Sequence, residues 1–299
     1  MKSFTQFIRE SILESTIQES GNAIKNVAKI PPRDAVNIYN EIESLILSKI
    51  PNAKMCPLGS LGKKRDDQTH GDIDIAYLSS DVKEVNDMIQ KVFAPLMPDQ
   101  VTEINPRTTA STASIGWLFD GGIAQIDFMS VTDLDWARFR YDSPDFRNFE
   151  SDFKGGVRCV LLRCIIGAIP VEDNTIEYFE DGVTVKSKYK YTMNDNGLFK
   201  QFISYAGKNG PLKNPKKDKS LERFITYNPK EIMEFVFGGN ARPEDFKTAE
   251  SLWKAFHDKS KFPYDDKVVK EIEDRFYKEE LEPSGLTIAD FEKIVKKHS

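Results

Sequence analysis

Two carboxylates stand two residues apart in Gly71-Asp72-Ile73-Asp74-Ile75. On a β-strand, positions i and i+2 project from one face. Asp72 and Asp74 would therefore point the same way, with Ile73 and Ile75 buried on the other side. Parallel carboxylates repel unless positive charge lies between them, and a divalent cation answers that need. Mg²⁺ binds a few carboxylate oxygens and keeps its other positions for water and substrate phosphates. Upstream, Leu58-Gly59-Ser60 offers a glycine that lets backbone approach a phosphate closely and a hydroxyl that can donate to it. The loop between carries Lys63, Lys64 and Arg65, cations that suit phosphate and equally suit solvent. His70, at the end of that loop, reads as a surface histidine. A third acid, Asp127 in Gln125-Ile126-Asp127-Phe128-Met129, alternates with apolar neighbours as an outward residue of another strand would. Three such acids can hold two ions about 3.5–4 Å apart, the arrangement that activates a hydroxyl and stabilises a leaving pyrophosphate.

The elements needed to position these residues can be read from periodicity. Phe4, Phe7, Ile8, Ile12 and Leu13 follow a Ser3 cap at helical spacing, predicting an amphipathic N-terminal helix. After Pro31-Pro32, the positions Val36, Ile38, Ile42, Leu45 and Ile46 predict a core helix through about Lys49. A short strand near residues 54–58, a polar loop and an alternating strand at 72–77 follow. Residues 82–94 read as a crossover helix. Strands are expected at 101–104, 112–119 and 123–131, the last two joined by Asp120-Gly121-Gly122. The stretch from Asp133 to Phe153 reads as polar turns, and 157–168 as an apolar helix. Beyond it one hairpin is expected around Asp181-Gly182, and then helices: one starting at Asn228-Pro229, where the asparagine caps and the proline takes the first helical position, and others at 243–257, 265–281 and 287–297.

The fold class expected is α+β. A mixed sheet flanked by helices is followed by a mainly helical C-terminal domain carrying a β-hairpin. The expected boundaries are an N-terminal helix and linker over 1–30, a catalytic domain over 31–150, and an acceptor- or nucleotide-binding domain over 151–299. With 299 residues there is room for one large or two modest domains, at a typical ~100–200 residues each. The 42 basic and 47 acidic residues give a formal charge of -5, so any polyanion site must be local. One local footprint is the run Lys213, Lys216, Lys217, Lys219 and Arg223, opposed by Asp218 and Glu222. It reads as a mobile loop suited to phosphate, and the four lysines are candidate acceptor-binding residues. Arg158, in the apolar helix, is a candidate for the triphosphate. The three cysteines, Cys56, Cys159 and Cys164, lack disulfide-framework or zinc spacing, which suits a reducing compartment. Charges interrupt the N-terminal apolar pattern, no segment reads as a membrane span, and a cytoplasmic protein is expected.

The order Leu58-Gly59-Ser60, then Asp72-Ile73-Asp74-Ile75, then Asp127 resembles the DNA polymerase β-like nucleotidyltransferase superfamily. Its pattern is a hydrophobic residue before Gly-Ser, a spacer, Asp-hydrophobic-Asp-hydrophobic, and a third Asp on a later strand. The resemblance spans about residues 35–135. It implies Asp72, Asp74 and Asp127 as catalytic metal ligands for two Mg²⁺ ions, with Mn²⁺ able to substitute. It also implies triphosphate binding by Gly59 and Ser60, and an NTP as substrate; Lys63 and Lys64, by their charge and place in the intervening loop, are further candidate nucleotide-binding residues. The Gly-Asp-Ile-Asp-Ile and Gln-Ile-Asp-Phe-Met wording, with the MKSF start and helical C-terminal half, looks like nucleotidyltransferases of tailed bacteriophages, which would place the protein in a host cytoplasm. The expected reaction moves NMP to an acceptor hydroxyl, taken as an RNA 3′ end such as that of tRNA. Other classes compatible with these residues are a protein- or small-molecule-modifying nucleotidyltransferase of the AMPylation type and a noncatalytic NTP-binding interaction module.

Overall fold

A computed structural model describes residues 23–79, 81–106, 112–147, 151–153, 155–171, 176–180, 183–207 and 210–297. The amphipathic N-terminal helix expected before residue 20 lies outside the described residues. The chain divides into two compact units. One runs to Val157 and takes in Lys247–Ala249 and Lys296–Ser299; the other comprises Arg158–Phe246 and Glu250–Val295.

The first unit begins with α1 (Pro32–Lys49), whose proline at the first turn has no amide hydrogen to leave unsatisfied. Ala35, Ile38, Tyr39, Ile42 and Ile46 recur every three to four residues and are its buried stripe. Next come β1 (Met55–Pro57), β2 (Asp72–Leu78), α2 (Val82–Val92), β3 (Val101–Asn105), β4 (Thr112–Phe119) and β5 (Gly122–Val131). Asp81 caps α2 by accepting from the amides of Lys83 and Glu84. The five strands form a mixed sheet in the order β1-β2-β5-β4-β3, with β2 and β5 parallel and the other pairs antiparallel. One face buries Ile73, Ile75, Ile126, Phe128, Ile115 and Trp117 against α1 and α2 in a single core. Phe93, just past α2, packs edge-on to Trp117 and against Phe128.

That core fixes the register of the opposite face. Burying a large aliphatic or aromatic side chain is worth about 1.5–3 kcal/mol. A one-residue slip of β2 would expose Ile73 and Ile75 and drive Asp72 and Asp74 into the core. The acids face outward because the isoleucines between them face in.

The stretch after β5 differs from the expected polar turns. It contains α3 (Leu134–Tyr141), capped by Asp133, whose carboxylate accepts from the Trp136 amide. Trp136, Ala137 and Arg140 are buried. Ala137 joins Cys56, Leu58, Ala76 and Val131 in a second apolar cluster. The helix has only two turns, and its charged residues Asp135, Arg138 and Arg140 alternate with apolar ones instead of lying on one side, so helical periodicity is nearly invisible in it. It is followed by α4 (Gly155–Ala168), which begins in one unit and ends in the other.

The second unit contains more sheet than the single hairpin expected. Strands β6 (Ile176–Glu180), β7 (Val183–Asn194), β8 (Gly197–Gly207) and β9 (Gly210–Thr226) form an antiparallel meander, order β6-β7-β8-β9. The lysine-rich run read as a mobile loop is the edge strand β9. Its prolines, Pro211 and Pro215, are tolerated because an edge strand pairs on one side only. Helices α5 (Pro229–Phe237), α6 (Ala249–His257), α7 (Asp266–Phe276) and α8 (Ile288–Lys297) follow. Asn228 caps α5, accepting from the Lys230 amide. Trp253 is the hub of this unit's core, against Phe256, Phe276 and Phe291. Among the described residues, no helix is long and apolar enough to cross a membrane.

Candidate metal centre

Asp74 on β2 and Asp127 on β5 are direct neighbours in the parallel register, and Asp72 is paired with Gln125 one step along the same face. The three carboxylates are half-buried, and each offers an oxygen within 4.8 Å of the others. Parallel pairing brings residues of one face close enough for their side chains to converge. Three carboxylate oxygen donors of this kind suit a hard divalent cation. The donor set is therefore one that can hold a divalent cation.

Gly59 completes the cradle. The Leu58 amide donates to the Asp74 carbonyl at 2.9 Å, bringing the Gly-Ser turn against β2. Gly59 then takes φ +64, in the left-handed region, and a Cβ there would stand 3.2 Å from Asp74 Oδ2. Glycine keeps this approach free of strain and leaves the carboxylate uncovered. Ser60 Oγ lies 3.4 Å from His70 Nδ1. His70 is not the surface residue expected. It is 3% exposed, and its backbone amide and carbonyl exchange hydrogen bonds with those of Ile30 at 2.8 and 3.0 Å.

The cations of the loop are engaged locally. Lys63 Nζ is 2.7 Å from Asp142 Oδ2 and also reaches the Gly59 carbonyl, so it sits against the Gly-Ser turn. Lys64 donates to the Thr69 carbonyl. Arg158 belongs to the second unit, where it is buried and donates through Nη1 to the Phe246 carbonyl at 2.9 Å. Arg163, its neighbour on α4, pairs with Glu279 at 2.7 Å. Lys213, Lys216, Lys217 and Lys219 lie on β9, with Lys216 opposite Ser204 and Lys217 opposite Ile203 on β8.

Two further residues belong to this centre that the motif did not single out. Ser114 on β4 stands directly across from Asp127, and its hydroxyl donates to Asp127 Oδ1 at 2.6 Å. The Gln125 side-chain amide donates to both Asp127 oxygens, at 3.1 and 3.0 Å. Both residues are almost fully buried. Gln125 had a visible signal, an amide two positions before the acid and so on its face. Ser114 had none, because its partner is set by hairpin register. A scan against models of known protein families finds no match, and a comparison with curated proteins finds none either.

Proposed function

We propose that the protein is a nucleotidyltransferase that moves a nucleoside monophosphate from an NTP to an acceptor hydroxyl. The observation that carries this reading is the convergence of Asp72, Asp74 and Asp127 from paired parallel strands beside a left-handed Gly-Ser turn. Asp72 and Asp74 would hold the divalent cations and Asp127 would complete the set on the side of the acceptor. When bound, the cations supply positive charge to the phosphates and lower the pKa of the attacking hydroxyl. The Gly59 backbone and the Ser60 hydroxyl bind the triphosphate, with Lys63 beside them. The acceptor oxygen attacks the α-phosphorus, the bond to the β-phosphate bridging oxygen breaks, and pyrophosphate leaves in line. The hydroxyl proton passes to solvent through the half-buried carboxylates.

The acceptor in this reading is an RNA 3′ end. Its support is the clustering of Lys213, Lys216, Lys217 and Lys219 on one edge strand of a chain whose formal charge is -5. Purified protein incubated with each α-labelled NTP, Mg²⁺ and total RNA should transfer label to RNA. Asp72→Ala/Asp74→Ala should lose at least the ~10³-fold expected when charge stabilisation at a phosphoryl centre is removed. Equal labelling by that variant would sink the assignment. Label on protein instead of RNA would keep nucleotidyl transfer and replace the acceptor.

A further inference from the structure

Residues 23–30 run as a strap that pairs edge-to-edge with residues at the start of β2 and of β5 and then passes onto the acid face of the first unit's sheet at Ile24. Ile30 bridges His70 at the start of β2, and Val27 bridges Ile123 on β5. The Ala28 amide donates to the Ile123 carbonyl at 2.8 Å. Ile24 is buried over Gly116 of β4, where a Cβ would stand 2.9 Å from Ile24 Cγ2. At the far edge the Ala23 carbonyl accepts from Asn105 Nδ2 on β3 at 2.9 Å. The strap thus visits β2, β5, β4 and β3 in the order in which they lie in the sheet.

A link from the strap to the acids runs through the Gln125 side chain. The Ile24 amide donates to Gln125 Oε1 at 3.2 Å, while Gln125 Nε2 faces both oxygens of Asp127. A backbone N–H can only donate and a carboxylate can only accept, so these neighbours fix which way round the Gln125 amide sits. The reversed amide would set carbonyl against carboxylate and N–H against N–H. Asp127 needs such help because its terminal torsion is soft, with a broad two-fold well. Gln125 bonds to both of its oxygens and Ser114 to one, so together they hold the carboxylate plane in one orientation.

From this geometry we infer that Gln125, oriented by the strap, is the positioning residue for Asp127, and that residues 23–30 are a working part of the metal centre. The inference rests on the reading of Asp72, Asp74 and Asp127 as metal ligands. Outer partners that orient a ligating carboxylate typically contribute 10- to 100-fold in metal affinity. The strap makes that contribution depend on a segment remote in sequence from every acid.

Mn²⁺ titration of the full chain, followed by electron paramagnetic resonance of the free ion, tests this without turnover, alongside melting temperature. Gln125→Met keeps the volume and burial but removes both the donor to Asp127 and the acceptor for the Ile24 amide. It should weaken Mn²⁺ binding about 10- to 100-fold. Gly116→Ala leaves Gln125, Ser114 and the acids in place, but its methyl would press first on Thr102 Oγ1 and then on Ile24 Cγ2; by shifting Ile24 it should weaken binding in the same direction. Ser114→Ala is the milder donor deletion and serves if Gln125→Met does not fold. Asp127→Ala marks the loss of a ligand. Wild-type affinity in Gln125→Met or Ser114→Ala, whatever happens to the melting temperature, means the pair is merely structural and overturns the proposal. Wild-type affinity in Gly116→Ala overturns the role of the strap. If the wild type itself binds no Mn²⁺, the metal centre falls and the positioning role with it. Failure confined to the Gln125, Ser114 and Gly116 variants leaves the nucleotidyltransferase reading standing.

Discussion

Gly59 and Gly62 occupy the same turn at nearly the same backbone angle, φ +64 and +68, yet differ in what a side chain would meet. At Gly62 nothing lies within 4 Å; at Gly59 a Cβ would press on Asp74 Oδ2. An L-residue in the left-handed region costs roughly 1–2 kcal/mol. Gly59→Ala and Gly62→Ala should therefore lower stability alike, by that amount, in urea melts. Mn²⁺ affinity should fall only in Gly59→Ala, because only there is a ligand crowded. Equal affinity in both variants would remove Gly59 from the site. The acids themselves were legible because strand alternation leaves a two-residue signature, and the alternation of Ile73, Ile75, Ile126 and Phe128 supplies the buried side of the same pattern. Ser114 was not, since what makes it matter is a partner on another strand, and a lone serine among apolar residues has no period. His70 departs from the expected surface position for a related reason: it is buried and its backbone pairs with Ile30, which lies a whole helix and loop upstream.

At the scale of elements, the strands that carry the acids and the helix between β2 and β3 were legible, because each repeats its apolar spacing for long enough to register. The sheet of the second unit was not. In β9 the prolines and lysines suppress every usual strand signal, and only the pairing with β8 reveals the strand. Lysines on an edge strand have a structural use, since they discourage pairing with another sheet edge. Phosphate binding is separable from that role by its salt dependence. Replacing Lys213, Lys216 and Lys217 with glutamine should lower RNA affinity. It should also reduce the slope of log affinity against log salt by about 0.7 for each single-strand phosphate that a lysine no longer neutralises. Filter binding over a salt series gives the slope directly. An unchanged slope would assign the lysines to edge protection alone and detach the strand from the acceptor.

At the scale of the whole molecule, both units bury groups that ionise in alkali. Burial is the leading cause that raises the pKa of the Cys56 thiol and the Tyr39 and Tyr77 phenols in the first unit. In the second unit it does the same to the Tyr264 phenol and pushes the Cys164 thiol up to about 12. For each, the folded value lies above the unfolded one, about 8.5 for a thiol and about 10 for a phenol. Between those values the native state holds protons that the unfolded chain has released, so stability must fall as pH rises. The contribution is complete below the unfolded values and is lost through the folded ones. For Cys164 that window runs from about pH 8.5 to about 12. Urea midpoints should therefore start to decline near pH 9. The growing negative charge of the chain acts in the same direction, so the decline alone does not identify the thiol. Cys164→Ala does: it should be less stable at pH 7, through the packing it loses, but its stability should fall less steeply above pH 9, by up to about 1.4 kcal/mol per pH unit. Parallel curves for the two proteins across that range would mean that Cys164 ionises as freely in the fold as outside it.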